Sequence, residues 1–291
     1  MYVEHLRIPV GAGSLHVERT GRGGPAVVLL HGFGTCAFLW RRLAPALANA
    51  GYTAIAIDLL GHGESDRPED AAYHLAAQAD HVARAMAALR LSSAALVGQD
   101  IGGLVALVLA AGPRFTVDGV ALLSPPDPDD LPGSDIRALQ RGSALIALSA
   151  NLLFGAQPAL APLLRAGVAE PANMPDLLVA RYLAPFVGTD GLAQLLLRSA
   201  AVEFTVESRA RLGEVAAPVL VLNGEADTGR PILNWSSLLP ASHVDEDAVT
   251  GAGRLIPEDA PTALFDQLTS WLGRITGRST KTGPGASPVQ A

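Results

Sequence analysis

Residues 94–111 constrain the fold of this chain more than any other stretch, because an apolar, strand-like run breaks at a glycine and restarts at once as an apolar, helix-like run. The break reads Gly98-Gln99-Asp100-Ile101-Gly102-Gly103. A strand that turns sharply into a helix needs glycines there, since the strained turn leaves no room for side chains. The pattern predicts a nucleophile elbow with Asp100 at its centre.

An aspartate at the centre of such a turn selects a particular chemistry. A carboxylate attacks a saturated carbon by displacement, whereas a serine alkoxide attacks an acyl carbon. The alternative interpretation is a turn aspartate that follows a buried apolar strand and has no chemical role. Motifs elsewhere in the chain favour the first interpretation.

Composition restricts the class of protein and its partners. A chain of 291 residues with 49% hydrophobic residues can bury a large core, in one domain or in one domain with an insertion. The formal net charge of -7 and the absence of any Lys/Arg cluster argue against nucleic acid and anionic membranes as partners. A hydrophobic small molecule is the expected partner, and the composition does not distinguish a monomer from a homodimer.

Several features predict a cytoplasmic protein. The first ten residues lack the apolar core of a signal peptide, and no run approaches the roughly 18 apolar residues of a membrane span. The single cysteine, Cys36, cannot form an internal disulfide and is expected to be a buried structural thiol. The seven histidines are scattered without metal-ligand spacing, so we expect no metal and no cofactor.

Apolar strand-like runs alternate with helix-like runs along most of the chain, which predicts an α/β fold with a mostly parallel, eight-stranded sheet flanked by helices. The alternation stops at a proline- and aspartate-rich break near residue 126 and resumes near residue 207. We therefore predict a core of residues 1–125 and 207–275 and an inserted helical cap of residues 126–206. Residues 276–291 are poor in apolar side chains and are predicted to be a disordered tail.

Taken in chain order, four motifs resemble those of the α/β-hydrolase superfamily over residues 3–275. They are His31-Gly32 after a buried strand, Gly61-x-Gly-x-Ser65 after the next strand, the elbow around Asp100 and the loop Gly224-Glu225-Ala226-Asp227. With aspartate at the elbow, the chain is most similar to the branch that holds epoxide hydrolases and haloalkane dehalogenases.

In that branch the aspartate forms an ester with the substrate, and a histidine supported by an acid activates the water that hydrolyses this ester. The resemblance implies that the main-chain amides of Phe33 and Ile101 form an oxyanion hole beside Asp100. It also implies that Asp227 is the supporting acid, for which the alternative is a turn residue without that role.

The chain departs from the branch at the position of the catalytic histidine, where it has Arg254 between matching flanking residues. Arginine has a pKa above about 12 and does not accept a proton near neutral pH, so it cannot activate water. It can pair with Asp227, with Asp100 or with an anionic substrate, and the alternative is a solvated loop charge. His243 opens the last predicted strand instead of following it, which makes it a poor substitute for the missing base.

Without that base, the sequence leaves three outcomes open. Asp100 acts as a general base in elimination, dehydration, isomerisation or cyclisation; or it forms an ester that the substrate's own nucleophile resolves; or the pocket only binds a ligand. An epoxide hydrolase with an atypical base is the rival among enzymes. Dehalogenation is disfavoured because Ile101 offers no side-chain donor to a leaving halide.

The predicted cap is rich in leucine between residues 144 and 197, which indicates an apolar pocket for a hydrophobic substrate such as a polyketide-like intermediate of secondary metabolism. Tyr182 is the only tyrosine of this segment, and it is a candidate hydrogen-bond donor or a packing residue. The candidate substrate contacts are His31, Trp40, Gln99, Tyr182 and Phe186, and the candidate catalytic residues are Asp100, Asp227 and Arg254.

Overall fold

The computed structural model describes residues 2–133, 136–137, 157–188, 191, 198, 202–229 and 233–277. Most of the predicted tail, from residue 278 onward, lies outside the described residues, as do several parts of the predicted cap. The last helix ends at Thr276 with Gly277 as its C-cap, whereas the prediction places both residues in the tail.

Eight strands form one sheet, in the order β1-β2-β4-β3-β5-β6-β7-β8. β2 runs antiparallel to both of its neighbours, and all pairs from β4 to β8 are parallel. The predicted α/β class and the mostly parallel, eight-stranded sheet are confirmed. The strands are β1 Val3–Pro9, β2 Ser14–Thr20, β3 Ala26–Leu30, β4 Thr53–Ile57, β5 Ser93–Gln99, β6 Thr116–Leu123, β7 Val219–Gly224 and β8 Val244–Val249.

The central strands are apolar on both faces because helices cover the sheet on both sides. In β3, Val27 and Leu29 belong to one hydrophobic cluster, while Val28 and Leu30 belong to the other. Successive side chains of a strand point to opposite faces, so a continuous apolar run is what a strand between two helical layers requires.

The helices supply the two outer layers of the core. α1 (Leu43–Asn49) and α9 (Pro261–Thr276) pack on one face of the sheet, and α2 (Leu75–Ala88) and α3 (Ile101–Ala110) pack on the other. Among the described residues, no helix is long and apolar enough to cross a bilayer. The α-helices that lie within the described residues are α1 Leu43–Asn49, α2 Leu75–Ala88, α3 Ile101–Ala110, α4 Gln157–Ala166, α5 Asp176–Leu183, α6 Val206–Ala210, α7 Trp235–Leu238, α8 Ile256–Asp259 and α9 Pro261–Thr276.

Among the described residues between β6 and β7, the regular elements are helices. They include α4, α5 and three short 3₁₀ helices at Pro128–Asp130, Pro171–Asn173 and Ala184–Phe186. Residues 202–206 contain no strand. Thr205 instead begins α6, because its hydroxyl accepts a hydrogen bond from the Ser208 amide at 3.1 Å and so satisfies a free donor of the first helical turn.

Candidate active site

Asp100 stands at the sharp turn between β5 and α3. Its backbone has φ 54° and ψ -126°, a region that costs a non-glycine residue about 1–3 kcal/mol. Two main-chain hydrogen bonds hold it there, from its own amide to the Leu123 carbonyl at 2.9 Å and from the Gly103 amide to its carbonyl at 3.0 Å. The carboxylate is therefore presented at the carboxyl end of the sheet, half-buried.

Two glycines of the elbow are required by close backbone approach. A Cβ atom on Gly98 would lie 2.4 Å from the main chain of Gly102, and a Cβ atom on Gly102 would lie 2.4 Å from the Leu30 carbonyl oxygen. Both distances are below any contact that real Cβ atoms show. Glycine is therefore required at both positions because a side chain would clash with the backbone, as the sequence suggests.

The loop after β3 brings a main-chain donor to the carboxylate of Asp100. The amide of Phe33 donates to Oδ2 of Asp100 at 3.2 Å. Gly32 permits this approach, because a Cβ atom there would lie 2.7 Å from the Cβ of Asp100. One carboxylate oxygen of Asp100 is therefore held next to a main-chain donor of this loop.

His31, another candidate substrate contact, holds this loop and does not line the described part of the cavity beside Asp100. Its side chain is fully buried, its Nε2 accepts a hydrogen bond from the Leu59 amide at 3.0 Å, and its Nδ1 lies 2.8 Å from the Gly32 carbonyl oxygen. Burial lowers the pKa of His31, which favours the neutral ring with the proton on Nδ1. Both nitrogens serve the backbone, so His31 positions the loop.

A cavity of about 100 Å³ lies beside Asp100. Its polar side chains include those of Gln99, Asp100 and Arg254. The apolar wall combines the elbow, the chain after β6 and helix α4 of the predicted cap, through Ile101, Pro126, Leu131, Leu160, Leu163 and Leu164. The carboxylate thus faces a mostly hydrophobic space that helix α4 covers.

Arg254 shares this cavity with Asp100, and Asp227 does not line its described part. The side-chain amide of Gln99 donates to the Arg254 carbonyl at 2.9 Å and so links the end of β5 to the loop after β8. Asp227 is half-buried in the loop after β7, one residue from Ala226, whose amide donates to the Ala252 carbonyl at 2.9 Å. The loops of Asp227 and Arg254 are therefore neighbours.

Three of the candidate substrate contacts, Trp40, Tyr182 and Phe186, do not line the described part of the cavity beside Asp100. All three are at least 98% buried and belong to one hydrophobic cluster. The Tyr182 hydroxyl donates to Oε1 of Glu258, which with Oε2 also accepts from Arg41 at 2.6 and 2.7 Å. Burial, followed by the charge of Glu258, raises the pKa of Tyr182 well above its usual value.

The buried group of Arg41, Tyr182 and Glu258 has no signature in the sequence. Arg41 and Glu258 are 217 residues apart in the chain, and Tyr182 lies on α5. The contact joins the loop after β3, α5 and the helix that follows Arg254. In the sequence these residues lie among apolar residues, and that pattern predicts a hydrophobic pocket instead of an internal ion pair.

All seven histidines of the chain lie within the described residues, and none of them lines the cavity beside Asp100. His243 is 80% exposed and pairs with Asp245 across 3.2 Å. His62 is buried behind the Phe33 ring, and burial lowers its pKa to about 3. The structure therefore places no imidazole where it could activate water at this cavity.

Comparisons with known proteins agree with this geometry. Residues 25–143 match the family described as alpha/beta hydrolase fold. A haloalkane dehalogenase of Mycobacterium marinum is 29% identical over 274 residues, which cover 88% of this chain and 87% of that protein. An epoxide hydrolase of Caballeronia sordidicola is 43% identical over 102 residues, which cover 34% of this chain and 30% of that protein.

The architecture is shared with solved structures across almost the whole chain. The crystal structure of wild-type Cfl2 from Burkholderia cenocepacia aligns with a TM-score of 0.77 and 27% identity, and it covers 92% of this chain and 95% of Cfl2. This chain is therefore similar to these proteins both in its architecture and in its sequence. The chain has an α/β-hydrolase fold, and it is similar in sequence to epoxide hydrolases and haloalkane dehalogenases.

Proposed function

We propose that this protein is an enzyme that uses the Asp100 carboxylate, as nucleophile or as general base, on a hydrophobic small molecule. One observation carries the proposal: Oδ2 of Asp100 accepts a hydrogen bond from the Phe33 amide at 3.2 Å while the same side chain lines a largely apolar cavity. With Oδ2 held in the oxyanion position, Oδ1 is the atom that attacks carbon or accepts a proton.

The reaction proceeds without a histidine-activated water. None of the seven histidines lines the cavity, and Arg254, which does, cannot accept a proton near neutral pH. Two routes satisfy this restriction. Asp100 removes a proton from the substrate in an elimination, dehydration, isomerisation or cyclisation, or it forms an alkyl ester that a second group of the substrate displaces.

Arg254 supplies positive charge to the cavity. A guanidinium stays protonated and offers up to five N–H donors in a planar fork, so it stabilises negative charge on a carboxylate or on a developing alkoxide. In an apolar cavity this attraction is stronger than in water, because the surroundings screen it less. We assign Arg254 to charge stabilisation, and Asp227, on the neighbouring loop, to support of the Arg254 loop.

Epoxide hydrolysis is the second candidate function. It is favoured by the 43% identity to the Caballeronia sordidicola epoxide hydrolase over one third of the chain. It requires a base other than a histidine of the cavity.

Intact-mass measurement after incubation with hydrophobic epoxides and alkyl halides tests these assignments, with Asp100→Asn as the matched variant. A stable adduct on wild-type protein, absent from Asp100→Asn, supports a nucleophile without its base. Turnover without an adduct, lost in Asp100→Asn, supports the general base. A diol that carries oxygen from isotope-labelled water supports the second candidate, and ligand binding without any product in either protein contradicts catalysis.

A further inference from the structure

Two histidines and a glutamate meet on the hairpin of β1 and β2. In the sheet, β4 and β3 separate this hairpin from β5, the strand that precedes Asp100. The register sets His5 opposite Glu18 and Arg7 opposite His16, so these four side chains stand on one face of the hairpin. We call His5, His16 and Glu18 the hairpin site. Nδ1 of His5 lies 3.1 Å from Nε2 of His16 and 4.0 Å from Oε1 of Glu18.

These distances suit a shared metal ion. Two imidazole nitrogens bound to one zinc ion at 2.0–2.1 Å in tetrahedral geometry lie about 3.3 Å apart. The two ring nitrogens of the hairpin site are already at 3.1 Å, and all three ligand atoms lie within 4.8 Å of one another. Because the His5 side chain is 61% exposed, its ring is able to turn toward an ion without disturbing the core.

A buried carboxylate orients the central ligand. Nδ1 of His16 lies 2.8 Å from Oδ2 of Asp58, and both side chains are at least 95% buried. If Nδ1 donates its proton to this carboxylate, Nε2 presents its lone pair to the hairpin site. Metal-binding histidines are usually oriented by a carboxylate or carbonyl in this way.

Asp58 is itself held rigidly by the main chain. Its Oδ1 accepts from the Ala37 amide at 2.6 Å, and its Oδ2 accepts from the Glu64 amide at 2.8 Å. The orientation of the His16 ring is therefore fixed by the fold and does not depend on a chance surface rotamer. Such preorganisation distinguishes a built site from scattered surface histidines.

The charges around the hairpin site also favour a dication. Besides Glu18 and Asp58, the carboxylate of Glu64 lies 4.0 Å from Nε2 of His16. Arg7, which shares this face of the hairpin, is engaged by the carboxylate of Asp66 and the carbonyl of Glu64. Three carboxylates thus lie around two imidazoles, Arg7 is already paired, and Arg181 contacts Glu64 from the far side at 3.5 Å through its other carboxylate oxygen.

We propose that the hairpin site binds one divalent transition-metal ion, with Zn²⁺ as the best match, through Nδ1 of His5, Nε2 of His16 and Oε1 of Glu18. Imidazole and carboxylate ligands are those that zinc takes in proteins, and water completes the tetrahedron. The bound ion joins β1 to β2 and, through His16, to Asp58 and the loop behind it. The ion therefore stabilises the N-terminal hairpin.

Isothermal titration of the full-length, chelator-treated protein with ZnCl₂ tests this proposal. We expect one ion per chain, with affinity at least 10-fold weaker in His5→Gln and in Glu18→Gln. At a zinc concentration about 100-fold above Kd, the wild-type Tm is expected to rise by about 5 °C, and His5→Gln is expected to lose this rise. His243→Gln is the matched control, because His243 is also exposed and paired with one carboxylate.

Equal zinc binding by wild type and His5→Gln, or no binding by wild type at micromolar to millimolar zinc, overturns the proposal. His5 is an exposed residue of β1, the edge strand of the sheet, so His5→Gln is expected to fold. Circular dichroism verifies this. Asp100→Asn is expected to bind zinc as the wild type does, so the result is independent of the reaction at the cavity.

Discussion

The side-chain amide of Gln99 donates to the main-chain carbonyl of Arg254 across 2.9 Å, and a second contact joins the same nitrogen to the Leu123 carbonyl at 3.2 Å. Gln99 is fully buried, so the backbone at residue 254 is held next to the carboxylate that follows Gln99 in the chain. The backbone at position 254 is therefore fixed beside the cavity of Asp100, which the Arg254 side chain lines.

Arg254→His is expected to introduce or accelerate hydrolysis. A neutral imidazole at this position accepts a proton from water near pH 7, which arginine does not. General-base catalysis contributes typically 100- to 10,000-fold, so a rise of at least 10-fold in the rate of ester or epoxide hydrolysis is expected. Arg254→Gln is the matched control, because it removes the charge without adding a base, and an equal gain in both variants contradicts this reasoning.

Gly102→Ala is expected to destabilise the protein and to abolish activity. Its Cβ would lie 2.4 Å from the Leu30 carbonyl and 2.5 Å from the His31 carbonyl, so β3 and the elbow must move apart. Strain of this kind costs about 1–3 kcal/mol. Gly112→Ala is the control, because its nearest neighbour lies 3.4 Å away, and urea denaturation of both variants should show the difference.

Glu258→Gln is expected to destabilise the protein by about 3 kcal/mol, because a buried ion pair that loses one partner leaves the other charge unpaired. Glu258 is 0% exposed in its side chain and Arg41 is 23% exposed, so the pair is largely shielded from water. Tyr182→Phe removes one hydrogen bond from the same carboxylate and should cost about 1 kcal/mol. Thermal unfolding measures both, and a loss in Tyr182→Phe that exceeds the loss in Glu258→Gln would contradict the ranking.

The raised pKa of Tyr182 predicts a loss of stability in alkali. A tyrosine that stays protonated in the folded state binds more protons than the unfolded chain does above pH ~10, so the free energy of unfolding falls as pH rises beyond that value. Urea titrations at pH 8 and pH 10.5 should show a larger loss for wild type than for Tyr182→Phe. Equal losses of stability in the two proteins would show that a residue other than Tyr182 causes the sensitivity to alkali.

The low pKa of His62 predicts a loss of stability in acid. Burial lowers this pKa to about 3, whereas the unfolded chain has a value near 6.5, so the unfolded state binds the extra proton as pH falls below 6.5. Between pH 7 and pH 4.5 this contributes about 2–3 kcal/mol to the decline in stability. His62→Gln should have a flatter pH profile than wild type, and the exposed-site variant His243→Gln should not.

Local patterns predicted the elements that depend on neighbouring residues. The glycines around Asp100 specify the elbow because the turn is crowded by its own backbone and by β3. Apolar runs such as Val27 to Leu30 predict buried strands because helices cover both faces of a parallel sheet. From these patterns the α/β class, the eight strands and the loop next to Asp100 follow without knowledge of distant contacts.

Tertiary structure decided the contacts between residues that are far apart in the chain. His5 faces His16 only because of the register of β1 and β2, in which a slip of one residue would place the side chains on opposite faces. Likewise, the buried Tyr182 meets Glu258 because α5 lies against the helix that follows Arg254. The sequence shows which side chains are apolar and which are polar. Only the packing of the fold determines which of them meet in a buried ion pair and which surround the Asp100 carboxylate.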